Sequence, residues 1–273
     1  MRADGDRFRL STAERFLAAA TSRRGVLVGG AGLALTALVA ACTGGGRAAT
    51  TASPTPSPSP SATPSSVPKV VATPACVVTP AETEGPYFVD ERLNRSDITT
   101  DPADGSVRPG LPLNLVFNLA QVGAGGCTAL SGAQVDVWHC DALGVYSDVG
   151  AQGSVGKRYL RGYQVSDADG KVAFQTVYPG WYPGRAVHIH FKVRTFSGSQ
   201  KTYEFTSQVF FDDGVTDAVY QRSPYSTHAN RDTRNSTDMV YTANNNSGAM
   251  LLATLAPSGS GYDATFAIGV KVG

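Results

Sequence analysis

Six short stretches of the chain alternate apolar and polar side chains with a period of two: LPLNLVFNLAQV (111–122), AQVDVWHC (133–140), KVAFQTVYP (171–179), AVHIHFKVRTF (186–196), YEFTSQVFF (203–211) and ATFAIGVKV (264–272). That period sends successive side chains to opposite faces of an extended backbone, so each stretch predicts a strand. Gly, Asn, Asp and Pro punctuate the gaps between them. Brief helical turns are expected near Asp217 to Arg222 and Ser236 to Tyr241, and no long run of period 3.6 with helix caps follows Cys42. No internal repeat stands out. The expected class is all-β, an antiparallel β-sandwich.

The first 42 residues break the pattern and read as an address rather than as part of the fold. Arg23 and Arg24 precede an uncharged run from Gly25 to Ala41, as in a bacterial twin-arginine export signal. The run ends at Val39-Ala40-Ala41-Cys42, which resembles a lipobox whose cysteine takes a lipid and becomes the mature N-terminus. With 17 residues and four glycines, the run makes a poor membrane span. Residues 43–68 are rich in Pro, Ser, Thr, Gly and Ala, with little to bury, and read as an extended tether. Residues 69–273 then form one domain. The expectation is an exported, extracytoplasmic protein held at the membrane by lipid on Cys42. The twin-arginine route carries folded proteins, so a cofactor can be seated before export.

Composition removes one class of partner. With 16% charged residues and a formal net charge of +1, nothing points to nucleic acid. Cysteine adds a constraint: with Cys42 assigned to lipid, Cys76, Cys127 and Cys140 remain for one disulfide and one thiol. Cys140 falls in a strand where a buried thiol packs well, and the favoured bridge is Cys76 to Cys127, although spacing leaves the other pairings open.

Chemistry concentrates at GRAVHIHF (184–191), where His188 and His190 share one strand face. Alone, such a pair is also what any polar strand face presents; with further ligands it holds a metal. Tyrosines supply the context. The segments WHCDALGVYS, RGYQVSDADGKVAFQTVYPGWYPGRAVHIHF and YEFTSQVFFDD, preceded by the arm TPAETEGPYFVDERLNRSDI (79–98), resemble in order and spacing the core of the intradiol ring-cleavage dioxygenases. The resemblance runs from Cys76 to about Asp213 and identifies 69–273 as a catalytic domain of that type. It implies non-haem Fe(III) held by Tyr146, Tyr182, His188 and His190, with Tyr182 rather than Tyr178 as the second phenolate. It further implies that Arg185 and Gln208 act on the substrate, that Tyr182 takes a substrate proton, and that a catecholic ring is opened by O2 between its hydroxylated carbons. One departure is visible: only residues 183–187 separate Tyr182 from His188, a shorter loop than many relatives have. Tyr87 is the arm residue expected near substrate, or else packed in the core. His139 reads as structural, His228 as part of a polar loop or lid, and Asp141 as a turn-former. The short arm leaves no room for the helical dimerisation domain of many relatives, so catechol, protocatechuate, hydroxyquinol and lignin fragments all stay open as substrates, as does the oligomeric state. The alternatives are a cell-surface β-sandwich binding module without catalysis, or the same site holding zinc or copper. The two targeting signals are separable: Cys42→Ser is expected to move the exported protein from the membrane fraction to the soluble fraction, and retention in the membrane fraction would refute the lipid reading.

Overall fold

The computed structural model describes residues 76–272. The export signal, the lipid site at Cys42 and the tether lie outside the described residues. Nine strands form among them: β1 (Pro112–Gly123), β2 (Gly126–Ala129), β3 (Gln134–Trp138), β4 (Arg161–Val165), β5 (Lys171–Val177), β6 (His188–Ser197), β7 (Gln200–Phe210), β8 (Thr254–Ser258) and β9 (Gly261–Val270). One sheet has the order β2-β1-β9-β8, and β5 also pairs with β1; the other runs β4-β3-β6-β7. The second sheet is antiparallel throughout. In the first, β1 and β9 run parallel, a departure from a wholly antiparallel sandwich. A tight hairpin joins β8 to β9, but β1 and β9 lie at opposite ends of the domain's sequence, so no hairpin links that pair and none forces it to be antiparallel.

All six alternating stretches lie on strands. The three further strands lack the signal for physical reasons. β2 is only four residues long, β4 opens on Arg161, and β8 carries Pro257 on a largely exposed edge. The first helical turn comes earlier than expected, at Asp213–Val219, because the Asp212 carboxylate accepts from the backbone N–H groups of Gly214 and Val215 and starts the helix there. The second is a 3₁₀ turn at Asn235–Thr237. A disulfide joins Cys76 to Cys127, the pair favoured above, and Cys140 is a buried free thiol.

Between the sheets, Leu113, Leu115, Phe117 and Leu119 of β1 meet Ile189, Phe191 and Val193 of β6. Phe191 sits 5.4 Å from Phe117 and 5.8 Å from Phe266, ring centre to ring centre. Such pairs add about 0.5–1.5 kcal/mol beyond the area they bury.

The other face of β6 carries His188, His190, Lys192 and Arg194, and these are buried too. What covers them is the arm. It enters along the free edge of β7, where Glu82 N–H donates to the Thr206 carbonyl at 3.1 Å, and leaves along the free edge of β4, where Arg95 N–H donates to the Tyr163 carbonyl at 3.1 Å. Between these points it crosses a single cross-strand row, in which Arg161 stands opposite Trp138, Trp138 opposite His190, and His190 opposite Gln208. Charges fasten it: Lys192 pairs with Glu84, and Arg194 bridges Asp90 at 3.0 Å and Asp136 at 2.6 Å.

Candidate metal centre

Two loops bring tyrosines to this row. The first follows β3 and turns on Asp141, whose carboxylate accepts from the N–H groups of Leu143 and Val145 at 3.0 Å each, the turn-forming role expected of it. It delivers Tyr146, whose backbone N–H donates to Gln152 at 2.6 Å. The second loop, 178–187, delivers Tyr182. The loops lie directly on each other because glycines face across the contact. Gly144 has φ +85°, and a Cβ there would stand 2.2 Å from the Trp181 carbonyl oxygen; a Cβ on Gly180 would stand 2.3 Å from that of Asp141.

Four side chains converge. The Nε2 atoms of His188 and His190 are 3.0 Å apart, and the Tyr182 hydroxyl is 3.2 Å from that of His188. The Tyr146 ring lies 5.6 Å from Tyr182 and 6.4 Å from His190 between centres. His188 Nδ1 is 2.6 Å from the Ala186 carbonyl, which can only accept, so Nδ1 carries the proton and Nε2 turns a lone pair inward. The Tyr146 hydroxyl is buried without a hydrogen-bond partner of good geometry. Burial pushes the Tyr146 phenol well above its usual range and that of Tyr182 up to about 12, the latter against the pull of the Arg185 cation. The same burial holds His188 and His190 far below the usual imidazole value, and both are neutral. Two inward imidazoles and two phenols with few partners fit a hard cation that can take phenolate ligands. Among the described residues no group of three or more His, Cys, Asp and Glu converges in this way, so any complete set here needs the tyrosines.

Around them, half-buried Tyr87 packs against Tyr146 at 4.6 Å and edge-on to Tyr182 at 6.0 Å, beside the buried cluster of Trp138, Cys140 and Tyr146. Trp138 stacks on His190 at 5.0 Å, nearly parallel. Arg185 donates from Nε to Asp238 at 2.9 Å and from Nη2 to Gln208 Oε1 at 2.5 Å. Gln208 Nε2 in turn donates to the Thr83 carbonyl at 2.8 Å, tying the arginine to the arm. His139 stands apart, both ring nitrogens occupied by the Cys140 carbonyl and Thr176 Oγ1 at 2.8 and 2.7 Å. Tyr178 bonds Thr216 at 2.7 Å, away from the convergence. His228 stacks on Trp181 at 4.4 Å, beside the second loop.

A family model described as Dioxygenase matches residues 83–241, more than half of the chain. An intradiol ring-cleavage dioxygenase from Tetranychus urticae is 30% identical with a TM-score of 0.61, covering 72% of this chain and 95% of its own. This chain belongs to the intradiol ring-cleavage dioxygenase family. Also similar to this family member are the dioxygenase domain of a dioxygenase carbohydrate-binding protein fusion from Streptomyces sp. SirexAA-E and catechol 1,2-dioxygenase 1 of Acinetobacter lwoffii. The first is 27% identical with a TM-score of 0.51, over 72% of this chain and 100% of that one. The second is 28% identical over 150 residues, 46% of this chain and 45% of that protein. The chain spans about half the length of the curated relatives it matches.

In this dioxygenase-family chain, sequence reasoning singled out the four converging donors and the Arg185 and Gln208 pair, but not Asp238. That carboxylate is fully buried and accepts from Ala186 N–H at 2.6 Å as well as from Arg185. It lies 53 positions beyond Arg185 in a polar loop, where no local signal distinguishes it from a turn residue. The contact between the loops makes a prediction. Gly144→Ala is expected to cost about 1–3 kcal/mol through its left-handed backbone and the clash with Trp181, lowering Tm by several degrees. An unchanged melting temperature would mean that the loops do not bear on each other here.

Proposed function

We propose that this protein opens a catechol-type ring with O2 between the two hydroxylated carbons, using non-haem Fe(III) held by Tyr146, Tyr182, His188 and His190. The observation that carries the reading is the buried Tyr146 hydroxyl, lacking a well-formed hydrogen bond, beside two neutral imidazoles whose Nε2 atoms are 3.0 Å apart. A binding module without catalysis gives no reason to bury such a set. Bound there, ferric iron would supply a hard Lewis acid suited to a catecholate and to the oxidation of its ring. The protein's own residues do the rest. Tyr182 is the more exposed of the two phenols, and once ionised in holding the metal its oxygen would be the one placed to take a substrate proton. Tyr146, His188 and His190, all fully buried, hold their places. Tyr87, Tyr146 and Tyr182 make aromatic walls suited to a flat ring. Arg185, clamped by Asp238 and Gln208, already eases ionisation of Tyr182, so its field favours negative charge where a substrate anion forms. Gln208 holds that guanidinium in register with the arm. Export by the twin-arginine signal and anchoring through lipid on Cys42 complete the proposal.

Iron-loaded protein is expected to be red-brown and to consume O2 with catechol, protocatechuate or hydroxyquinol, yielding a muconate-type diacid. Tyr146→Phe is expected to lose the iron or shift the visible band strongly. Arg185→Ala leaves Asp238 with backbone donors from Ala186, Val240 and Tyr241, so iron and colour persist while turnover falls by about 100-fold or more. A colourless protein, or one that takes up no O2 with any of the three, would sink the reading.

A further inference from the structure

The arm's last stretch covers a second arginine, at the opposite end of the row from Gln208. Arg161 is 2% exposed and opens β4 directly opposite Trp138. Its Nε donates to Ser147 Oγ at 2.8 Å and its Nη2 to the Ser147 carbonyl at 2.7 Å. Ser147 follows Tyr146 in the chain, and its hydroxyl also donates to the Tyr159 carbonyl at 2.7 Å. One guanidinium therefore grips, by side chain and backbone together, the residue next to a phenol that has no well-formed hydrogen bond of its own. The arginine is itself immobilised: the Arg95 side chain donates twice to its carbonyl, at 2.9 and 2.7 Å. Its remaining Nη1, the Trp138 indole N–H and Glu91 Oε1 have no partner in the protein, and the three residues line one cavity of about 10 Å³, room for a single water. Such a water would accept from the two N–H groups and donate to the carboxylate.

We propose that Arg161 is a positioning residue for the metal centre: held by Arg95 at its own carbonyl and set beside Glu91 and Trp138, it fixes Ser147 and so sets where the Tyr146 oxygen stands, without touching substrate. The inference rests on the reading of Tyr146 as an iron ligand. A fork of two donors onto one residue restrains rotation as well as distance, which a lysine ammonium does not reproduce. Partners of this kind behind a metal ligand change metal retention about 10- to 100-fold when removed.

The test compares iron-loaded wild type with Arg161→Lys, Arg161→Gln and Ser147→Ala. The readouts are the visible tyrosinate band, the rate of iron loss to a chelator, Tm, and kcat and KM with catechol. The expected result is a shifted band and about 10- to 100-fold faster iron loss in Arg161→Gln, partly restored in Arg161→Lys. KM should stay near wild type while kcat falls. Ser147→Ala removes one of the arginine's two contacts, together with the bond to the Tyr159 carbonyl, and no charge; it should shift the band in the same direction and speed iron release by about 10-fold, the scale of two net hydrogen bonds. A wild-type band and release rate in Arg161→Lys, or in Ser147→Ala should the arginine variants not fold, would overturn the proposal, as would a fall in Tm with the band unmoved. Wild type that neither holds iron nor absorbs in the visible would instead overturn the ligand reading beneath it.

Discussion

Strand β6 is buried on both faces, and its two faces are chemically opposite. Ile189, Phe191 and Val193 enter the apolar core, while His188, His190, Lys192 and Arg194 enter a polar layer sealed by the arm. A buried polar group costs free energy unless it is paired or holds a ligand. Lys192 and Arg194 meet this condition with carboxylates from the arm and from β3. The histidines and the nearby tyrosines meet it only in part: Tyr182 reaches His188, but the Tyr146 hydroxyl and His190 Nδ1 stay without a partner, and that shortfall suits the place to a metal rather than to a further salt-bridge layer.

The arm is therefore part of the centre rather than a cover over it. It crosses the row residue by residue: the Thr83 carbonyl on Gln208, Gly85 against His190, Phe88 on Trp138 and Glu91 beside Arg161. Gly85 has φ +71°, and a Cβ there would stand 3.3 Å from the His190 ring, so the backbone itself forms the wall. The same crossing pairs the free edges of β7 and β4, which would otherwise stand open. A disulfide from Cys76 to Cys127 fastens the start of the arm to the other sheet.

How much of this was legible in the sequence depends on how local the cause is. Alternation placed the strands that are buried on at least one face, and the spacing of His188 and His190 put both rings on one side, because both signals lie within a few residues. The tyrosines became legible only through a known family's order of motifs. Periodicity says nothing about which of Tyr178 and Tyr182 joins the histidines: Tyr178 is buried in the core and bonds Thr216, 38 positions away, a partner that no local pattern announces. Asp238, Glu91 and Trp138 were invisible as site residues for the same reason: their partners arrive through strand register and a crossing arm. The parallel pairing of β1 with β9 belongs to that class too, because it is fixed by a chain path rather than a pattern.

Burial also bears on which ion such a set would favour. With both phenols raised and both imidazoles lowered, the four donors rest uncharged. An ion satisfied by neutral imidazoles can leave the phenols protonated, whereas an ion that recruits them must offset the removal of two reluctant protons. That offset grows with the charge of the ion, so the dry, phenol-rich environment works against weakly polarising cations and in favour of a hard, highly charged one. Arg185 lowers the barrier without becoming a ligand: its cation eases ionisation at Tyr146 and Tyr182. Its partner Asp238 is held by the N–H groups of Ala186, Val240 and Tyr241. The carboxylate thus balances the arginine overall while its own charge is spread over backbone donors, leaving the guanidinium free to act on the phenols.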